Sequence, residues 1–133
     1  MLSELFCRAA RASYTILVLA ASGSAAEVAR GTLAAPTDGE PLRLLTEAGS
    51  LSLDLDEGLE ATMRDPQLRE RTWEVRGRRA EDGQFLVEKI FTVKDGVLHR
   101  VTYYCVICHI TTHEPGLCMC CQGDTDLREL PGE

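Results

Sequence analysis

Five of the chain's six cysteines fall between Cys105 and Cys121, and four of them are spaced as two Cys-x-x-Cys pairs. The stretch reads Cys105-Val106-Ile107-Cys108-His109, and later Cys118-Met119-Cys120-Cys121-Gln122-Gly123. Two intervening residues let both sulfurs of a pair point inward while backbone amides turn towards them, so each pair bends round one ion. Two such knuckles supply four thiolates, the number that a closed tetrahedral zinc site requires. Pro115-Gly116 predicts a turn that folds the segment back as a hairpin, and Gly123 is expected to take the positive φ of a tight turn. Ile110 and Leu117 are almost its only apolar bulk, so the segment needs a staple. Structural zinc contributes about 10 kcal/mol or more to folding in small domains. The expected ligands are therefore Cys105, Cys108, Cys118 and Cys121, with zinc as the ion.

Three further residues stand near this set. Cys120 is left over as a neighbour, a spare ligand or a reactive thiol. His109 follows a ligand pair directly, so it either replaces a thiolate or hydrogen-bonds a sulfur. His113, in Thr111-Thr112-His113-Glu114, reads first as a solvated loop histidine and second as an additional ligand.

Other chemistry fits parts of the pattern. Cys105-Val106-Ile107-Cys108-His109 matches the Cys-x-x-Cys-His attachment sequence of c-type haem, with His109 proximal and Met119 or His113 as second axial ligand. That reading leaves Cys118, Cys120 and Cys121 unused, and the strand-like residues before Cys105 do not suit a mostly helical cytochrome. A thiol redox pair would want a helix opening at its first cysteine, whereas Ile110-Thr111-Thr112 is β-branched and starts a helix poorly. Copper(I) suits soft thiolates with Met119 among them. Plain disulfides would leave one thiol over.

Residues 1–26 read as an export signal: Arg8 and Arg11 precede the apolar Tyr14 to Ala21, and Ser22-Gly23-Ser24-Ala25-Ala26 supplies small residues for cleavage. The apolar stretch is shorter than the roughly 20 residues that span a bilayer, so no permanent membrane anchor is expected. Cys7 precedes the stretch and offers no lipid attachment. The expected compartment is the bacterial periplasm or the exterior. Cleavage after Ala26 leaves 12 basic against 20 acidic residues, a net charge of −8, and five cysteines. An odd number cannot all pair within one chain in an oxidising compartment, and a four-thiolate zinc site accounts for the excess. The acidic balance argues against nucleic acid as a partner, since that affinity comes largely from basic contacts to phosphate. Arg76, Arg78 and Arg79 are too few to change this and read as a solvated hairpin end.

The rest of the chain is strand-like. Ser50-Leu51-Ser52-Leu53-Asp54-Leu55 alternates strictly, as does Thr72 to Arg78, with Trp73 and Val75 on one side and Thr72, Glu74 and Arg76 on the other. Val28 to Leu33, Leu42 to Thr46, Phe85 to Val93 and Val97 to Tyr104 complete the strands. Glu47-Ala48-Gly49, Glu81-Asp82-Gly83 and Lys94-Asp95-Gly96 are the turns. Between the third and fourth strands, Asp56 caps a short helix to Met63, which stops at Asp65-Pro66. Five or six short strands with one helix there predict a mainly β fold. Residues 27–104 are expected to form a small antiparallel barrel like the oligonucleotide/oligosaccharide-binding (OB) type, with a split barrel or a simple meander fitting almost as well, and residues 105–133 a cysteine-rich, metal-binding hairpin and tail.

From about Arg76 to Glu129 the chain resembles a group of small exported bacterial OB-like proteins of uncharacterised function. The resemblance lies in Lys94-Asp95-Gly96, in Tyr103-Tyr104-Cys105-Val106-Ile107-Cys108, in Glu114-Pro115-Gly116-Leu117-Cys118-Met119-Cys120-Cys121 and in the closing Glu129-Leu130. It implies a metal-binding or redox appendage on a small β-barrel and leaves the ion open. No Ser/His/Asp arrangement and no phosphate loop is present. The expected role is a binding or scaffolding module for a protein or small-molecule partner rather than an enzyme.

Overall fold

A computed structural model describes residues 25–133, so the leader reading, apart from its last two residues, lies outside the described residues. Eight strands follow in chain order: β1 (Glu27–Leu33), β2 (Arg43–Thr46), β3 (Gly49–Asp54), β4 (Thr72–Arg79), β5 (Phe85–Lys94), β6 (Val97–Cys105), β7 (Ile110–Thr112) and β8 (Asp126–Pro131). Helix α1 (Glu57–Met63) and a single 3-10 turn at Pro66–Leu68 lie between β3 and β4.

The first five strands close on themselves. β1 runs antiparallel to β2 and β4, β2 to β3, and β4 to β5. The ring is completed where β3 meets the start of β5 in parallel, Leu53 opposite Phe85 and Asp54 opposite Leu86. The fold is thus mainly antiparallel β, an OB-like closed ring with its helix where the sequence puts it.

Period-2 patterning explains the core. Leu51 and Leu53 on β3 and Trp73 and Val75 on β4 point inward beside Leu44, Phe85 and Val87, with Met63 and Leu68 from the helical connection. Each such side chain contributes about 1.5–3 kcal/mol on burial. Asp56 caps α1 by accepting from the Leu59 amide at 2.8 Å. Asp65 does two things at once: Oδ1 accepts from the Gln67 amide, and Oδ2 accepts from the buried Tyr103 hydroxyl at 2.6 Å. Burial, reinforced by the Asp65 carboxylate, pushes the Tyr103 pKa well above the usual phenol range. The helical connection is thereby tied to β6.

One difference from the sequence pattern has a clear cause. Glu74, on the outer side of β4, is 3% exposed because Arg30 and Arg76 clamp its carboxylate at 2.6 and 3.0 Å. Arg78 and Arg79 are exposed, as the solvated hairpin end implies, and carry surface ion pairs with Glu88 and Glu27, while the half-buried Arg76 also reaches Glu133.

Residues 126–131, where the sequence pattern predicts only a tail, form β8 and pair with β6 from His99↔Pro131 to Tyr104↔Asp126. Glu129 anchors that strand. Its carboxylate receives Arg71 at 3.1 Å, the Thr92 hydroxyl at 2.8 Å and the Lys94 ammonium. Burial alone would raise its pKa, but these donors outweigh burial and hold it at about 2. The folded pKa is depressed, so the stabilisation is full above the ordinary glutamate pKa and is lost as pH falls towards 2. We expect Glu129→Gln to cost roughly 2–3 kcal/mol at neutral pH and to converge on the parent protein in acid. Urea melts of both proteins from pH 7 down to pH 2 measure this, and a gap independent of pH would refute it.

Candidate metal centre

Strand β6 carries Cys105 to the place where three strands meet. Cys105 lies opposite Ile110 of β7, and the preceding Tyr104 lies opposite both Thr111 of β7 and Asp126 of β8. The β6–β7 turn is the first knuckle. The segment before β8 is the second, closed by Thr125, whose hydroxyl donates to the Gly116 carbonyl at 2.7 Å, and by the Cys118 amide donating to the Gly123 carbonyl at 2.8 Å. Because β8 starts beside the end of β6, strand pairing brings the two knuckles together.

They share one backbone design. The amide after the second cysteine donates to the carbonyl of the first, His109 to Cys105 at 2.8 Å and Gln122 to Cys118 at 2.9 Å. Both donors sit in the left-handed region, at φ 57° and 59°. The positive φ expected at Gly123 therefore falls one residue earlier, on Gln122, because the turn closes immediately after Cys121. A non-glycine residue there costs roughly 1–2 kcal/mol, which the two closed knuckles must offset.

The sulfurs converge. The Sγ atoms of Cys105, Cys108, Cys118 and Cys121 all lie within 4.8 Å of one another, and those of Cys105 and Cys121 are 3.6 Å apart. A tetrahedron with zinc–sulfur bonds of about 2.3 Å has sulfur–sulfur edges of about 3.8 Å, so the donor set fits one ion. The cluster could hold a metal ion. Cys105 and Cys118 are buried, Cys108 half-buried and Cys121 exposed, so one side of the group faces solvent.

Backbone amides face the sulfurs. The Cys108 amide donates to the Cys105 sulfur and the Gly123 amide to that of Cys121, each at 3.4 Å. Amides of Cys121 and Cys120 favour the Cys118 thiolate and lower its pKa to about 7. The adjoining Cys120 and Cys121 thiols push the Cys108 pKa up instead. Without a cation the four sulfurs cannot all ionise side by side, since like charges disfavour one another. A divalent ion removes that conflict.

The three neighbouring residues divide. His109 is exposed, and its Nδ1 pairs with the Tyr104 hydroxyl at 2.7 Å rather than with a sulfur. His113 has an exposed side chain and contributes its backbone carbonyl, which accepts from the Thr62 hydroxyl of α1 at 3.0 Å. Cys120 is exposed at the tip of the second knuckle, outside the four-sulfur group. Thr62, which moors the hairpin to α1, and Asp65, which ties β6 to the helical connection, carry no sequence signal for those roles beyond the proline that follows Asp65. Comparison with protein-family models, with curated proteins and with solved structures finds no match to this chain.

Proposed function

We propose that Cys105, Cys108, Cys118 and Cys121 bind one structural zinc ion, and that the chain is an exported bacterial binding or scaffolding module rather than an enzyme. The convergence of four thiols from two matching knuckles carries this reading. Four protein thiolates close a tetrahedral site, which leaves no position for a catalytic water. An all-sulfur tetrahedral set suits zinc or iron–sulfur chemistry better than the harder cations. Covalent haem fits less well, because Cys105 and Cys108 are turned into the sulfur group and His109 is engaged by Tyr104.

Elemental mass spectrometry of protein exported from a bacterial host tests the ion. One zinc per chain is expected, removable by a strong chelator with loss of order in residues 105–125. Iron near one per chain would replace zinc with a haem or iron–sulfur centre. Metal-free folded protein would leave thiol or disulfide chemistry.

A further inference from the structure

The two knuckles expose what a structural zinc site alone does not require. Met119 is 85% exposed and Ile107 72%, and Leu117 and Val106 are also more than half exposed. Of the other exposed large apolar residues, Val28, Leu45 and Leu86 lie on different ring strands, Val97 at the start of β6 and Leu130 on β8, while Ile110 lies beside the first knuckle. Singly exposed apolar residues are ordinary, whereas a contiguous group marks a contact surface. The two tips lie side by side, since both surround one sulfur group and the Ile107 side chain lies against Gly123 of the second knuckle.

The exposed charges of the segment itself are acidic, and the cation that borders Leu117 and Asp124, Arg64, is already held by the Glu60 carboxylate and the Glu40 carbonyl. No lysine or arginine occurs between Arg100 and Arg128, while Glu114, Asp124 and Asp126 are exposed. Arg128 itself is held over the Tyr104 ring at 3.8 Å. A zinc ion with four thiolates adds a further net charge of −2.

We infer that the knuckle tips are a docking surface for a cationic amphipathic protein segment, its apolar residues seated on Ile107 and Met119 and its Lys/Arg residues on the acidic rim. This rests on the zinc reading for the added charge and for the rigidity of the tips. A second copy of the chain is the poorer occupant, because a two-fold contact sets the patch against itself and acid against acid. An anionic membrane is poorer for the same electrostatic reason.

The zinc-loaded full chain, labelled with nitrogen-15, is titrated with a synthetic amphipathic Lys/Leu peptide and with its Glu/Leu counterpart. The Lys/Leu peptide is expected to bind more weakly as salt rises, with shifts centred on Val106, Ile107, Leu117 and Met119. Ile107→Ser with Met119→Ser should weaken binding about ten-fold, as loss of apolar anchors does, with zinc content unchanged. Glu114→Lys with Asp124→Lys changes no cysteine and no apolar anchor and should weaken binding comparably, its zinc content being measured alongside, so the test survives an Ile107/Met119 variant that fails to hold zinc. Equal binding of the Glu/Leu peptide, shifts mapping to the barrel, dimers by sedimentation that dissociate in the Ile107/Met119 variant, or preferential binding to phosphatidylglycerol vesicles would each overturn the proposal. Protein that folds without taking up zinc and still binds the Lys/Leu peptide at the tips would sink the zinc reading and leave the surface standing.

Discussion

Cys118→Ser is expected to release the metal and to lower the melting temperature by on the order of 10–20 °C. Cys118 is 2% exposed, and its amide holds the second knuckle shut through the Gly123 carbonyl. Structural zinc contributes about 10–16 kcal/mol of binding free energy across four ligands, so one thiolate carries roughly 3–4 kcal/mol. A loss of that size shifts the melting temperature of a domain this long by the stated amount. The damage should be local at first. The hydrophobic core cluster runs from Leu42 to Tyr103 and includes no cysteine ligand. The ring strands should therefore keep their resonances at low temperature while those of residues 105–125 broaden or collapse.

Two controls separate the zinc centre from its rivals. His109→Ala removes one hydrogen bond to Tyr104, worth about 1 kcal/mol, and should leave the metal in place. Cys120→Ser lies outside the four-sulfur group and should change neither metal content nor melting. A haem centre would reverse the first control, with His109→Ala abolishing the coloured holoprotein and Cys118→Ser remaining mild. Unchanged metal content and melting in Cys118→Ser would remove Cys118 from the site.

The ring and the sulfur group were both legible, for different reasons. Alternation in Ser50-Leu51-Ser52-Leu53 and Thr72-Trp73-Glu74-Val75 exposes which face is buried, because side-chain direction on a strand has period 2. Cys-x-x-Cys spacing is a local geometric fact, so two pairs announce a four-sulfur set before any fold is known. The strands β7 and β8 were not legible. Ile110-Thr111-Thr112 is only three residues long, and Asp126-Leu127-Arg128-Glu129-Leu130 owes its strand state to the six-residue ladder on β6. Glu129 looks like any surface acid until Arg71, Thr92 and Lys94, all far away in sequence, close on it. His109 invited a ligand role by adjacency alone, whereas the left-handed backbone that closes the knuckle leaves its ring engaged with Tyr104.

Gly77→Ala is expected to be among the most damaging single-methyl additions in the chain, costing about 3 kcal/mol or more. Gly77 reads in sequence as an unremarked member of an alternating strand. In the fold, a Cβ at that position would lie 1.8 Å from the Leu86 carbonyl oxygen and 2.8 Å from its carbon. Both are backbone atoms of the paired strand, so no rotamer change relieves the clash. Overpacking ordinarily costs about 1–3 kcal/mol, and more where the backbone itself must move. The position also matters topologically. The β4–β5 register shifts between Arg76 and Gly77: Arg76 faces Lys89 but Gly77 faces Val87, which leaves Glu88 as the extra residue of a β-bulge. A bulge bends its strand and strengthens the local twist. It reverses which face of β5 turns inward, so Phe85 and Val87 fill the ring before it and Ile90 packs on the core after it. The first part of β5 closes the ring against β3, and the last part, Thr92 to Lys94, pairs with β6, the strand that carries Cys105. Forcing β4 and β5 apart at Gly77 therefore strains ring closure at its parallel contact. Thermal melts and amide hydrogen exchange test this: Gly77→Ala should melt early, with protection lost first at Leu53, Asp54, Phe85 and Leu86, while the metal proposed for the four-sulfur group is retained in the cold. A variant as stable as the parent would show that β4 and β5 do not approach as closely as the fold requires.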